Sequence, residues 1–466
     1  MRCVNFKLLF PFVTIANTAK RCYNITVMSV PVIIAAVAAV AMILSALLKP
    51  YISVGKIKIG LYVAVCAAGA IAELLFGGLS VFAAINGVTA ASAVNPLKIL
   101  ALFLSTTLIS EYLGDSGFFR LVAEKAFKAG KGGGIRLFSV LYAAVSALTV
   151  FTSNDIVVLT FTPIICLFCK KAGVSPVPYL VGEFVAANTW SMALIVGNPT
   201  NVYLAQSAGV SFTEYFKVMA LPAAAAGLSA FAVLLALFGR TLKKGRAVAD
   251  AENLAADGTP VRRINAPCMI VSLSALTGCI VALVASDTLG VEMWIVTVSF
   301  ALALTLFHVI YGIRRGEGLT RAFSGIKKTP WELAPFVLSM FIIVLALAES
   351  GLTATLADAL IRSNDKDCAA FGFLAAGLSN LLNNIPASVV TEKIIAGGSV
   401  YAMYGAVIGT NIGAVITPVG ALAGIMWNKI LSAYDVKLPF YKFALYGTAV
   451  AAVSLTLSVL VLVAML

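Results

Sequence analysis

The stretch Phe151-Thr152-Ser153-Asn154-Asp155-Ile156 sets four polar side chains in a row inside a segment that is otherwise apolar from residue 137 to 168. Lipid accepts free amides and a broken backbone only where they face protein or a water-filled cavity, so the break marks an interior site. A second break, Asn383-Asn384-Ile385-Pro386, interrupts another apolar segment. The two breaks occupy matching places in two halves of the chain, and the rest of the sequence reads as their scaffold.

The chain has 466 residues, 61% hydrophobic and only 11% charged, with a mean hydropathy of +1.00. A water-facing surface needs far more charge, and repeated apolar runs of about 18 residues or more are long enough to cross hydrocarbon. The fold class expected is an all-α polytopic membrane protein of about ten to eleven transmembrane segments, multi-pass in the cell (plasma) membrane. The net charge of +13 reads as loop lysines and arginines obeying the positive-inside rule. No basic stripe interleaved with aromatics appears, so nucleic acid is not an expected partner. The eight cysteines have no zinc or disulfide spacing, and the one histidine, His308, excludes a histidine-based metal site. Cys166 and Cys169 form a C-x-x-C on an apolar flank, where packing outweighs redox chemistry. Without a metal cluster, nucleophile–histidine pair or phosphate loop, no enzyme activity and no cofactor are expected beyond a coupling H+ or Na+.

The chain divides into a basic N-terminal segment, 1–29, read as dispensable; N-terminal spans, 30–95; a first repeat, 96–238; a cytoplasmic linker, 239–265; connecting scaffold spans, 266–330; and a second repeat, 331–466. Residues 114–136 read as an amphipathic stretch ending at Gly132-Gly133-Gly134. The repeat is the main structural argument. Asp115-Ser116-Gly117 corresponds to Glu349-Ser350-Gly351. At an offset of 230 positions Ser153-Asn154 falls on Asn383-Asn384, and at 223 Asn188 falls on Asn411 and Gly197 on Gly420. These coincidences lie on polar residues and glycines within apolar surroundings. Charge sets their sense. The linker and the loop 314–328 are both strongly basic and lie two spans apart, which places both in the cytoplasm. Threading outward from them, the first hairpin enters from the cytoplasm and the second from outside, an inverted repeat with two re-entrant hairpins. The same count puts residues 1–29 outside.

A helix broken at mid-membrane exposes N–H groups on one side and carbonyls on the other. The first attract an anion; the second, with Ser, Thr and Asn side chains, coordinate a small cation. The candidate substrate and ion ligands are Thr149, Ser153, Asn154, Asp155, Asn188, Gly197 and Asn198 in the first repeat, with Asn383, Asn384, Asn411 and Gly420 in the second. Na+ is the candidate metal, held at Ser153, Asn154 and Gly197. Helix-to-helix bonding by single amides is the competing role for each, but two symmetric clusters at helix breaks favour a site. Asp155 is the sharpest residue, because an ionisable group within the membrane is expensive to bury. Glu183 and Glu349 carry weaker forms of the same argument. Glu332 and Glu392 are expected near interfaces, and His308 as a packing residue.

With those residues in place, the chain resembles the ion transporter superfamily over about residues 95–466, nearest to arsenical pump membrane proteins and citrate-transporter-like permeases. The resemblance rests on residues 113–119 (Leu-Gly-Asp-Ser-Gly-Phe-Phe), on Asn154-Asp155 with Leu159 and Thr162-Pro163, and on Asn383-Asn384-Ile385-Pro386 with Ile416-Thr417-Pro418-Val419-Gly420. It implies a scaffold domain and a transport domain in an elevator-like alternating-access cycle, and by analogy a homodimer. In sodium–dicarboxylate relatives, paired Ser-Asn-Thr motifs bind sodium and substrate carboxylates. Here Asp155 replaces the first Thr, and Asn383-Asn384-Ile385 keeps only the central Asn. The leading expectation is therefore a secondary active transporter of a small anion or oxyacid, arsenite-type efflux by proton or cation antiport. The alternative is a sodium- or proton-coupled citrate/dicarboxylate permease.

Overall fold

The structure is a computed structural model that describes residues 30–48, 51–54, 57–89, 95–244, 264–316, 323–360, 368–395 and 399–465. The N-terminal segment 1–29, most of the linker and the charged centres of the loops near 320 and 365 lie outside the described residues.

Helices dominate, with one departure from all-α expectation: strands β1 (Tyr51–Val54) and β2 (Ile57–Gly60) pair antiparallel, Tyr51 opposite Gly60. They join α1 (Val30–Leu48) to α2 (Leu61–Phe76), and α3 (Val81–Thr89) follows. The first repeat comprises α4 (Pro96–Asp115), α5 (Phe118–Ala129), α6 (Gly134–Phe151), α7 (Asn154–Ala172) and α8 (Val177–Trp190). Two 3-10 turns, Ser191–Ala193 and Ile195–Gly197, lead into α9 (Pro199–Ser207) and α10 (Phe212–Lys244). Next come α11 (Ala266–Leu289), α12 (Met293–Arg314) and the short α13 (Ser324–Lys328). The second repeat is α14 (Leu333–Glu349), α15 (Leu352–Leu360), α16 (Cys368–Leu382), α17 (Asn384–Ile395), α18 (Val400–Gly413), α19 (Leu422–Ala433) and α20 (Phe440–Met465).

Among the described residues six helices are long and apolar enough to cross a membrane, or seven if α14 and α15, bent by 68°, form one span. The gap from the ten to eleven segments expected has a physical cause. Several apolar segments are split at polar breaks into pieces too short to span alone, and α1, α2 and α16 are short apolar helices.

Local chemistry fixes these ends. Asn95 caps α4, accepting from Leu97 N at 2.9 Å and Lys98 N at 3.2 Å, and Pro96 starts the helix where its missing N–H is harmless. Asn265 and Ser399 cap α11 and α18 in the same way. The amphipathic stretch forms α5, whose Phe119, Ala123 and Phe127 face inward.

The repeat reappears in the element boundaries. Helices α7 and α17 begin 230 positions apart; α8 and α18 begin and end 223 apart, as do the starts of α9 and α19. Packing between the halves is reciprocal: α7 lies against α19, α17 lies against α9, and α8 meets α18. Each half thus meets the other through corresponding helices. Both hairpins, with α10 and α20, share the main hydrophobic core, whereas α1, α2 and α14 centre on a second, smaller one. Helices α16 and α18 touch backbone to backbone. A Cβ on Gly409 would stand 2.1 Å from the Gly372 carbonyl oxygen, and one on Gly405 2.0 Å from that of Cys368. Small residues permit this approach, which supplies dispersion contact where lipid removes the hydrophobic drive.

Candidate functional site

At the first break the chain turns extended. Thr152 (φ −126°, ψ −172°) ends α6, and Ser153 (φ −83°, ψ 138°) precedes α7 as its N-cap residue. Ser153 makes no side-chain capping bond. Its Oγ and the Asn154 Oδ1 are buried without a hydrogen-bond partner. A buried polar atom left unpaired costs about 1–3 kcal/mol, and here two such atoms stand side by side at one helix break. The rest of the tip is bound firmly. Asn154 Nδ2 donates to Asn188 Oδ1 at 3.2 Å, Asn188 Nδ2 donates to the Phe184 carbonyl at 2.8 Å, and Thr149 Oγ1 donates to the Ala187 carbonyl at 3.0 Å. The Ser153 Oγ and Asn154 Oδ1 stay unpaired.

Ser153, though not Asn154, lines a narrow cleft of about 10 Å³, roughly the room of one water, between the hairpin tip and the helices α4 and α11. Thr106 and Ser110 of α4, Thr152 and Ser153 supply its hydroxyls; Val196 and residues of α11, Leu276 among them, supply apolar walls. No lysine or arginine lines it. Asp155 sits in the first turn of α7, half-buried, where a carboxylate complements the positive helix end. It forms no hydrogen bond or ion pair with a described residue, so its interior role rests on position alone. Among the described residues no group of three or more His, Cys, Asp or Glu side chains could hold a metal. Any cation site here would be built of hydroxyl, amide and carbonyl oxygens, which suit Na+.

Gly197 closes the turn behind this cleft. A Cβ there would stand 2.1 Å from the Ser191 carbonyl oxygen, so no other residue fits without displacement. That carbonyl also accepts from Asn201 Nδ2 at 2.9 Å.

Asn198 and Asn411 belong to a different assembly, an amide knot where the two repeats meet. Asn411 Oδ1 accepts from Asn198 Nδ2 at 2.9 Å and from Ser191 Oγ at 3.2 Å, and Asn411 Nδ2 donates to Asn201 Oδ1 at 2.7 Å. All four residues are fully enclosed. The knot joins the repeats rather than facing the cleft.

The second break differs in backbone. Asn383 has φ +77°, a left-handed conformation that asparagine tolerates better than other side chains. Its Nδ2 donates to the Val419 carbonyl at 3.0 Å, and the Asn384 N–H donates to the Gly420 carbonyl at 2.9 Å. Gly420 lies in the break between α18 and α19, so this tip is tied to its own repeat's interruption. Asn380 is absent from the candidates read in sequence, and Thr417 figures there only within a family motif: Thr417 Oγ1 donates to Asn380 Oδ1 at 2.8 Å, and Asn380 Nδ2 donates to the Gly413 carbonyl at 2.9 Å. Ser191 and Asn201 in the knot, and Thr106 and Ser110 in the cleft, are absent from those candidates as well. Asn380 lies one turn before Asn383-Asn384, and that spacing is the signal available in sequence.

The peripheral acids sort clearly. Glu349 is exposed, and Glu332 accepts from Tyr62 Oη at 3.0 Å. Glu392 departs from its expected interfacial place. It is buried, accepts from Tyr203 Oη at 3.2 Å and pairs with Lys393 at 3.3 Å, because α17 packs against α9. His308 stacks on Tyr112 at 4.2 Å, a packing role.

A family model described as "Citrate transporter" matches residues 25–403. An Escherichia coli protein named arsenical pump membrane protein is 30% identical over 351 residues, covering 71% of this chain and 78% of the relative. A Mycobacterium tuberculosis protein named only as an uncharacterized transporter is 24% identical over 377 residues, covering 78% and 85%. Among solved structures, the Alcanivorax borkumensis YdaH transporter aligns over 93% of this chain and 97% of its own, with a TM-score of 0.55 at 16% identity. Neisseria gonorrhoeae MtrF aligns over 94% and 95%, with a TM-score of 0.53 at 13% identity. Those two likenesses concern the fold alone.

Proposed function

The chain belongs to the citrate transporter family and is a multi-pass transport protein of the cell membrane, and from that premise we propose that it moves a small oxyacid of the arsenite type outward. The driving force is an antiported proton or cation. The observation that carries the reading is the narrow cleft at the first break: hydroxyls, the unpartnered Ser153 Oγ and apolar walls, with no cationic side chain, and the unpartnered Asn154 Oδ1 on the next residue. Arsenous acid is neutral at pH 7 and presents hydroxyls, which such a surface can bind by exchanging hydrogen bonds without a counter-charge. The α7 N-terminus, with no side-chain cap, adds backbone donors. The arsenical-pump relative supports the same choice.

The family's own description favours a second reading, a sodium- or proton-coupled citrate or dicarboxylate permease. Several carboxylates in this cleft would need a co-bound cation, and Ser153 Oγ, Asn154 Oδ1 and the turn ending at Gly197 are where Na+ would be held.

In either case the reciprocal packing of the repeats fits a pseudo-two-fold device. We place its axis in the membrane plane, so that the hairpins enter from opposite sides. The unit holding α6–α10 and α16–α20 slides against a scaffold of α4, α11, α12 and α14, with a homodimer formed through the scaffold.

Purified protein in proteoliposomes decides between the cargoes. Arsenite flux driven by a pH or cation gradient, with arsenite tolerance conferred on a sensitive strain, is the expected result. Unchanged tolerance together with sodium-stimulated uptake of labelled citrate would replace the first reading with the second.

A further inference from the structure

Deep in the same helical unit lies a carboxyl group that neither cleft nor knot uses. Glu183 sits midway along α8, a helix buried continuously from Pro178 to Thr189, and is itself only 2% exposed. Among the described residues its hydrogen bond of good geometry is with Thr162 of α7, whose Oγ1 lies 3.0 and 3.1 Å from the two carboxyl oxygens. That hydroxyl also lies 2.6 Å from the Val158 carbonyl.

A hydroxyl carries one proton. The shorter contact, to a carbonyl that can only accept, claims it. With that proton directed at the Val158 carbonyl, the contacts at 3.0 and 3.1 Å are satisfied when a protonated Glu183 donates to Thr162. The arrangement is that of a neutral acid. A second observation shows where the ionised form would find support. The Trp427 indole N–H of α19 is buried without a hydrogen-bond partner, beside Glu183 but outside bonding geometry. It is a donor waiting for an acceptor. Two hydrogen-bond states follow. In one, Glu183 donates to Thr162 and Thr162 donates to Val158. In the other, Thr162 has turned and, with Trp427, donates to a carboxylate.

The surroundings provide no competing charge. The uncharged titratable groups on the helices around α8 are the Cys166 and Cys169 thiols of α7, Tyr142 of α6, Tyr215 of α10 and Tyr401 and Tyr404 of α18, all neutral at pH 7. Every lysine and arginine with a described side chain on α6, α7, α10 and α19 is exposed, as is Glu214 of α10, and Asp155 stands at the hairpin tip. The second repeat makes the contrast. Glu392 occupies the position 230 beyond Thr162, but it has Lys393 at 3.3 Å, whereas Glu183 has no cation.

We propose that Glu183 is the proton-carrying group of the transport cycle, binding and releasing one H+ as the helical unit that holds it changes sides. Helices α7 and α8 link it directly to the cargo site: both run from the Glu183–Thr162 layer to the Asn154–Asn188 bond, about 12 Å along α7. This rests on the transport reading above and names the coupling group within it.

The test uses wild type and Glu183→Gln in proteoliposomes with a trapped pH dye, with arsenite and citrate each as probe. Glutamine keeps the shape and can donate to Thr162 as the neutral acid does, so cargo exchange at equal concentrations stays within about twofold of wild type. For one proton per neutral cargo, one pH unit of gradient supports about tenfold accumulation in wild type and none in E183Q, with proton flux lost alongside. Trp427→Phe removes the donor for the ionised form, so its transport pH profile moves to the alkaline side. Gradient-driven accumulation by E183Q overturns the proposal, as does loss of exchange in folded E183Q or an unshifted profile in W427F. If wild type moves neither probe, the transport reading fails. The carboxyl is then judged by its protonated C=O stretch in the infrared, which E183Q must lack.

Discussion

Gly197→Ala tests the geometry behind the cleft most severely for a change of one methyl group. The added Cβ would sit 2.1 Å from the Ser191 carbonyl oxygen and 2.9 Å from its carbon. Restoring an ordinary van der Waals separation moves the turn or that carbonyl by roughly 1 Å. The carbonyl holds Asn201 Nδ2 at 2.9 Å, the same residue's Oγ reaches Asn411 at 3.2 Å, and Val196 forms a wall of the cleft beside Ser153. Overpacking of this kind costs about 1–3 kcal/mol of stability. A displacement of about 1 Å at a site that depends on positioning lowers turnover by a factor on the order of 100. The control is Gly377→Ala on α16, where the new Cβ meets nothing within 4 Å, and alanine in a helix gains about 0.5–1 kcal/mol over glycine. Thermal unfolding in detergent and initial flux in proteoliposomes read both variants side by side. Wild-type flux and Tm in G197A would refute the claim that this turn shapes the cleft, as would equal damage in G377A.

Three further expectations are independent of that turn. Asn411→Ala removes three hydrogen bonds between the repeats; at roughly 0.6–1.7 kcal/mol each within a membrane protein, unfolding is easier by about 2 kcal/mol or more, read from the Tm. Asn383→Ala strains a backbone at φ +77° by about 1–2 kcal/mol, whereas Asn383→Gly relieves the strain and loses the same two side-chain bonds, to Val419 and from Ile385 N, so the glycine variant should melt higher. Outside the spans, Glu292 is held below the ordinary carboxylate range by hydrogen bonds from Lys98 and Trp294. A depressed folded pKa stabilises above the unfolded value, near 4.5, and the benefit fades as pH falls through the folded one. Exposure keeps it small. Glu292→Gln should flatten the acid limb of the Tm–pH curve, and an unchanged limb would remove the pair from the account.

Much of this was legible in the sequence because lipid makes the rules strict. A row of polar residues in an apolar run has few alternatives to an interior break, and α7 and α17 do begin at Asn154 and Asn384, 230 positions apart. The periodic apolar segments likewise identify the helices. What stayed hidden needs three dimensions. The left-handed turn at Asn383 is a dihedral that composition does not encode. The amide knot joins Ser191 to Asn411 across 220 positions, and nothing local says that Asn198 faces Asn411 rather than the cleft. Glu392 reads as interfacial because a carboxylate costs little there; only the packing of α17 on α9 buries it. Glu183 looked like any intramembrane acid until Thr162 and Trp427 were seen beside it.

The central claim is that Ser153 Oγ and Asn154 Oδ1 are unpartnered because they receive cargo or its coupling ion. Ser153→Ala isolates it, since the hydroxyl makes no hydrogen bond that folding would miss. The Tm should be unchanged or slightly raised while cargo flux falls about tenfold, the equivalent of one lost hydrogen bond of about 1.4 kcal/mol. Wild-type flux in a folded S153A protein would contradict it, and so would a loss of stability matching the loss of transport.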